Sequence, residues 1–154
     1  MIIDTASGAG IVKQYQALAR ARHGREIGVF TTTYVVCRPT AREAEKYHHH
    51  DAVDDADTPA VERLMSLMGM HAHSFPREMI GALRTQFAAG HGVYPLIGDS
   101  DTVADRSAEI AHAGFAGASL AFVNYLDELP YFAEEVLPRL ERKGLRLPMR
   151  GEEI

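Results

Sequence analysis

The chain has 154 residues, 46% of them hydrophobic and 24% charged, which is the composition of one globular domain and excludes a disordered or collagen-like chain. Lys and Arg number 16 against 21 Asp and Glu, a net charge of −5; nucleic-acid binders carry a basic field, so that class of partner is not expected. The apolar runs are short and Gly-broken, so no membrane partner is expected, and a single cysteine, Cys37, excludes an internal disulfide or a Cys-based zinc site and suits a reducing cytoplasm.

Ile11, Tyr15, Leu18 and Arg22 fall at helical spacing and predict a helix over Gly10–Arg22, with His23-Gly24 as its stop. Ile27–Cys37 is dense in β-branched and aromatic residues and predicts a strand. Both of its faces are apolar or Thr, as in a parallel strand covered on two sides. After Arg38-Pro39, the stretch Thr40-Ala41-Arg42-Glu43 is a capping box opening a helix. Thr58-Pro59 and Ser74-Phe75-Pro76 open helices near Pro59–Met68 and Pro76–Ala89, with Pro in the first turn. Gly90-His91-Gly92 ends the second of these. Tyr94–Gly98 reads only as a short apolar piece. Asp99-Ser100-Asp101-Thr102 offers N-caps for a helix through about Ala113, stopped by Gly114. Gly117–Val123 is the second clear strand. The last helix, Glu128–Lys143, is expected to kink or break near Val136–Leu137 because Pro138 lies inside it.

Alternating helices and strands predict an α/β architecture with parallel strands. Two strands cannot by themselves make a well-buried parallel sheet, so the chain reads as part of a larger one. The opening Met-Ile-Ile-Asp-Thr lacks a basic n-region, so no secretory signal is expected.

Several polar clusters invite chemistry and mostly decline it. His48-His49-His50 with Asp51 looks like a metal tract, but adjacent histidines on a helix point in different directions. His50 and Asp54 have ligand spacing, yet two ligands are too few, so no metal is expected. His71 and His73 are similarly weak. Asp51, Asp54, Asp55 and Asp57 lack the spacing of a calcium loop and read as a solvated stretch before a helix. Cys37, in a buried strand, reads as an inert core thiol. The turn at Gly98–Thr102 resembles a phosphate cradle, but Asp99 and Asp101 would repel an anion, so capping is the better reading.

Three phrases carry a resemblance. They are Val-Val-Cys-Arg-Pro-Thr-Ala-Arg-Glu-Ala (35–44), Tyr-Pro-Leu-Ile-Gly-Asp-Ser-Asp-Thr-Val-Ala-Asp (94–105) and Glu-Glu-Val-Leu-Pro-Arg-Leu-Glu-Arg-Lys-Gly-Leu-Arg (134–146). In this order they resemble the C-terminal half of bacterial-luciferase-like flavin monooxygenases, in the dimethyl sulfone, alkanesulfonate and pyrimidine monooxygenase branches. The resemblance implies the C-terminal portion of a (β/α)8 TIM barrel, with residues 1–154 forming a partial barrel domain. Ile27–Cys37 would be the seventh strand, 45–92 a helical insertion segment and Gly117–Val123 the eighth strand. Met1–Asp4 would be the tail of the sixth strand, and the first five would be missing.

The resemblance further implies an enzyme that uses reduced FMN, supplied by a separate flavin reductase, and dioxygen as co-substrate to oxygenate a small organic substrate. The alternative is a truncated or degenerate non-catalytic barrel fragment that associates with a partner chain. A homo-oligomer, or dependence on the missing barrel half, is expected either way. Barrel active sites lie at the carboxyl ends of the strands, and on that basis candidate residues can be placed. Thr32 and Tyr34 lie two apart and share a face of the seventh strand. Related alkanesulfonate enzymes carry Arg and His at those positions, so a sulfonate substrate is in doubt. Tyr34 is a candidate catalytic hydrogen-bond donor and Thr32 a candidate substrate contact, against the reading that both fill the barrel. His91, in a Gly-flanked loop, is a candidate proton donor or phosphate contact, or else a solvated loop residue. Asn124 and Tyr125, with Arg38, end the strands where substrate would be lined. No cofactor-binding residue can be assigned.

Overall fold

The strand Phe30–Cys37 (β1) is the middle member of a three-stranded parallel sheet. A computed structural model describes residues 5–70 and 76–148. Around β1 the chain runs through helix α1 (Thr5–His23), then α2 (Ala41–His49) with a π-helical turn (His50–Asp54), α3 (Thr58–Leu67) and α4 (Arg77–Gly90). Strand β2 (Tyr94–Gly98), α5 (Ser100–His112), β3 (Gly117–Phe122), α6 (Tyr125–Glu135) and α7 (Leu137–Arg142) follow.

β1 and β3 are parallel neighbours, in register from Phe30 opposite Gly117 to Val35 opposite Phe122. That is the arrangement expected of consecutive barrel strands. The connection between them is not wholly helical, however. Tyr94–Gly98, read from sequence only as an apolar piece, is a third strand on the other flank of β1, from Thr33 opposite Tyr94 to Cys37 opposite Gly98. Five residues including Pro95 and Gly98 have little strand propensity of their own, and the edge of β1 supplies the ladder that makes them extended.

The sheet is covered on both faces, which is why β1 is apolar on both. Val35 and Cys37 face one side with Leu96 and Phe122, packed against Val12 of α1, Val103 and Ile110 of α5, Phe132 of α6 and Val136. Tyr34 and Val36 face the other, against Ala44 and Tyr47 of α2 and Ala89 of α4. Met65, Leu83 and Phe87 tie α3 to α4.

Local signals account for most element ends. Thr40 Oγ1 accepts the Glu43 N–H at 3.2 Å and donates to the Glu43 carboxylate at 2.8 Å, so the box closes through the hydroxyl. Asp57, rather than Thr58, caps α3 by accepting the Ala60 N–H at 3.0 Å. Asp99 caps α5. The last helix breaks at Val136, because Pro138 has no N–H to continue the ladder. Gly144, at φ +70°, closes α7 in a Schellman motif: Leu145 N–H donates to the Leu140 carbonyl and Gly144 N–H to that of Glu141, each at 2.9 Å. Met1–Asp4, the Ser74-Phe75 cap, His71 and His73 lie outside the described residues.

Candidate active site

Tyr34 sits in the buried half of β1, 3% exposed. Its ring lies against Gly90 of α4, where a Cβ would collide with the ring. Its hydroxyl reaches the imidazole of His48 on α2, 3.3 Å from Nδ1. Burial, with the Asp51 carboxylate second, pushes the phenol pKa far up, so Tyr34 stays protonated. Burial also lowers the His48 pKa, against the opposing pull of Asp51. The two side chains form part of the wall of a cavity of about 540 Å³, shared with Gln86, Tyr94, Ile97 and Arg106.

Thr32 and His91 meet in a neighbouring cleft of about 290 Å³, which shares Tyr94 with the first cavity and is otherwise lined by Phe30, Met68 and Val93. Thr32 Oγ1 accepts a bond from Ser119 Oγ at 3.1 Å. His91 is exposed and occupies the left-handed region at φ 55°, the C-cap of α4. Because β2 is parallel to β1, the loop that feeds it enters at its amino end. His91 therefore stands level with the amino half of β1, away from the carboxyl ends.

At those carboxyl ends a cavity of about 360 Å³ is lined by Arg38, Tyr47, Asn124, Asp127 and Glu128. Asn124 caps α6, its Oδ1 accepting the Leu126 N–H at 3.1 Å and its amide donating to Asp127 at 2.7 Å. Tyr125 turns back instead: its hydroxyl donates to the Leu120 carbonyl at 3.3 Å and its ring packs edge-on against Phe122. The structure thus sets Thr32 and His91 on one cleft and Tyr34 in the adjoining cavity, and leaves Asn124 at a separate mouth.

His48 and Glu128 are site residues that the sequence reading passed over. His48 carried a usable signal, since it lies four positions after buried Ala44 on the face of α2 turned to the sheet. Glu128 carried none: its partner Arg38 is 90 positions away. His49 and His50 pair only with Asp54 and Asp55, at 3.4–3.9 Å, and among the described residues no group of three His, Cys, Asp or Glu could hold a metal ion. Cys37 is buried and its thiol is pushed up to about 11, chiefly by burial.

No protein-family model matches this sequence, and no curated protein does. Solved structures do match. Riboflavin lyase RcaE, determined with modified FMN and the substrate riboflavin, aligns at TM-score 0.73 and 22% identity over 94% of this chain and 38% of its own. DmoA from Hyphomicrobium sulfonivorans aligns at 0.71 and 18% identity, over 94% and 36%. EDTA monooxygenase EmoA from Chelativorans sp. BNC1 aligns at 0.69 and 21% identity, over 94% and 39%. The chain has the fold of one part of the luciferase-like flavin monooxygenase barrel. It spans 36–39% of the length of these proteins.

A flavin mononucleotide needs N–H or cationic donors for its phosphate and a flat apolar wall for its ring. The start of α5 is the natural anion cradle, but the Asp99 carboxylate already takes the Thr102 N–H at 2.8 Å. That bond holds the Asp99 pKa below the usual carboxylate range, and Asp101 stands in the same turn. The turn does not fit a phosphate. The wall of Tyr34, Tyr94, Pro95 and Ile97 is compatible with contact to part of a ring only.

Proposed function

We propose that this chain is the C-terminal part of a cytoplasmic, FMN-dependent, luciferase-like monooxygenase, which uses reduced flavin from a separate reductase and dioxygen to oxygenate a small organic substrate. The observation that carries this reading is the alignment of nearly the whole chain, 94%, with one part of flavin enzymes such as RcaE and EmoA. Tyr34 on the seventh strand and His91 are its candidate catalytic residues, with Thr32, Asn124 and Tyr125 as candidates for contact with substrate. When bound, the flavin would supply the oxygen chemistry; this chain would supply one wall of the cavity and one phenol.

One observation favours the second reading, a non-catalytic barrel segment that associates with a partner chain. The face bearing Tyr34 is covered by the chain's own α2 and α4. FMN fluorescence titration separates the two, with this chain alone and with the polypeptide that completes its barrel. The monooxygenase reading expects weak or no binding alone, and binding with oxidation of reduced FMN after completion. A completed barrel that neither binds FMN nor consumes oxygen overturns it. Tight stoichiometric binding by the 154-residue chain alone would move the cofactor site into this segment.

A further inference from the structure

Tyr34 and His48 come from different elements, β1 and α2, and meet with their rings tilted. The phenol oxygen lies 3.3 Å from Nδ1 and 3.5 Å from Nε2 of the imidazole, within reach of both nitrogens. The ring centroids are 5.8 Å apart and the planes are inclined by 32°. A small turn of the imidazole brings either nitrogen into line, and such contacts tighten when a ligand fills a site. Gly90 leaves room for the Tyr34 ring and α4 holds it there. Both side chains open on the cavity of about 540 Å³, where Thr85, Gln86 and Arg106 add polar groups.

We propose that Tyr34 and His48 are a proton-relay pair for a small, oxygen-bearing organic ligand in this cavity. Tyr34 is the group presented to the ligand. His48 is the positioning residue that sets whether Tyr34 offers a lone pair or a proton. A neutral imidazole accepts the phenol proton in a hydrogen bond, and the phenol oxygen is then an acceptor toward a ligand O–H. A protonated imidazole donates to the phenol oxygen and frees the phenol proton for a ligand carbonyl or alkoxide. In the transfer itself, the O–H bond of Tyr34 breaks as a new O–H forms on the ligand. The proton on His48 passes to the phenol oxygen in the same step. The phenol is restored, the imidazole ends neutral, and no oxidant is required.

The charged groups facing His48 are Asp51 in the π-helical turn and His49 on its own helix, with Arg106 and Glu109 of α5 on the shared cavity. Burial, opposed by Asp51, lowers the His48 pKa and so favours the neutral imidazole; acidification would reverse the bond. The pair stands on geometry alone; only the identification of its ligand as an oxygenation substrate rests on the proposed function.

The test is a ¹⁵N-imidazole NMR titration of the full chain, wild type and Tyr34→Phe, with far-UV circular dichroism as the control for folding. Removing the phenol removes the hydrogen-bond partner of both imidazole forms, which hold it with unequal strength. The His48 midpoint should therefore move by roughly half a pH unit or more, the size a single lost hydrogen bond produces. In the completed barrel, His48→Gln keeps a hydrogen-bonding side chain but cannot titrate. It should remove the acid inflection from kcat and leave KM within about twofold. A His48 midpoint that does not move, or an unchanged inflection in His48→Gln, overturns the pair. Coupled titration in a completed barrel that oxygenates nothing upholds the pair and overturns the monooxygenase reading. Normal oxygenation with uncoupled titration does the reverse.

Discussion

The guanidinium of Arg38, just past β1, meets the carboxylate of Glu128 on α6 at 2.5 Å, across 90 positions of sequence. The other Glu128 oxygen accepts the Asn124 N–H at 3.0 Å. Arg38 also donates to the Cys37 carbonyl at 2.9 Å and lies 3.9 Å over the Tyr47 ring. One guanidinium therefore joins the carboxyl end of β1 to α2 and to the start of α6. Glu128 is 6% exposed, so its charge has few solvent partners if Arg38 is lost.

Arg38→Met should accordingly destabilise the chain by about 3 kcal/mol in urea unfolding, the usual cost of leaving one buried charge unpaired. The double variant Arg38→Met with Glu128→Gln should be more stable than Arg38→Met alone. Strictly additive losses would show that the pair is not coupled.

Two glycines of one helix should respond in opposite directions. Gly81 has nothing within 4 Å of a new Cβ, so Gly81→Ala should stabilise α4 by about 0.5–1 kcal/mol. At Gly90 the Cβ would run into the Tyr34 ring. Gly90→Ala should cost about 1–3 kcal/mol and change the tyrosine near-UV circular dichroism. Equal thermal shifts in the two variants would remove the close approach from the argument.

Asp99→Ala should cost about 1 kcal/mol through loss of the α5 cap. The carboxylate's pKa lies below its ordinary 3.8, owing first to the Thr102 N–H bond. A group depressed in the folded state stabilises above its unfolded pKa, and that contribution is lost as pH falls through the folded one. The gap between wild type and Asp99→Asn, followed by urea midpoints, should therefore shrink on acidification below about 3.8. A gap constant across that range would assign the effect to packing.

On the flank of β1 opposite β3, pairing with β2 begins only at Thr33, and Phe30 is 69% exposed. An open flank of this kind is a template for a further strand. The chain alone should self-associate in light scattering as concentration rises, and Phe30→Lys should weaken that association. A monomer at all concentrations with a cooperative melt would count against this, and against dependence on the rest of a barrel.

Tyr34→Phe in the completed barrel should lower oxygenation by roughly ten- to a hundredfold, at or below the lower end of what a positioned acid supplies. Unchanged turnover would return Tyr34 to packing.

Much of this was readable from local chemistry. The two-faced apolar run Thr33–Cys37, the capping box at Thr40, the Asp99 cap and the break before Pro138 all depend on groups a few positions apart. Each is satisfied or frustrated within its own stretch of backbone. That sufficed to determine an α/β chain with β1 and β3 as parallel strands, and to find phrases that resemble those of flavin monooxygenases. Tertiary structure alone decided that Tyr94–Gly98 is a strand, because its ladder partner is the edge of β1. It alone placed His91 at the amino end of β2, brought His48 to Tyr34 and Arg38 to Glu128. The free energy of those contacts resides in partners that the chain brings together only by folding, so no short window of sequence contains it.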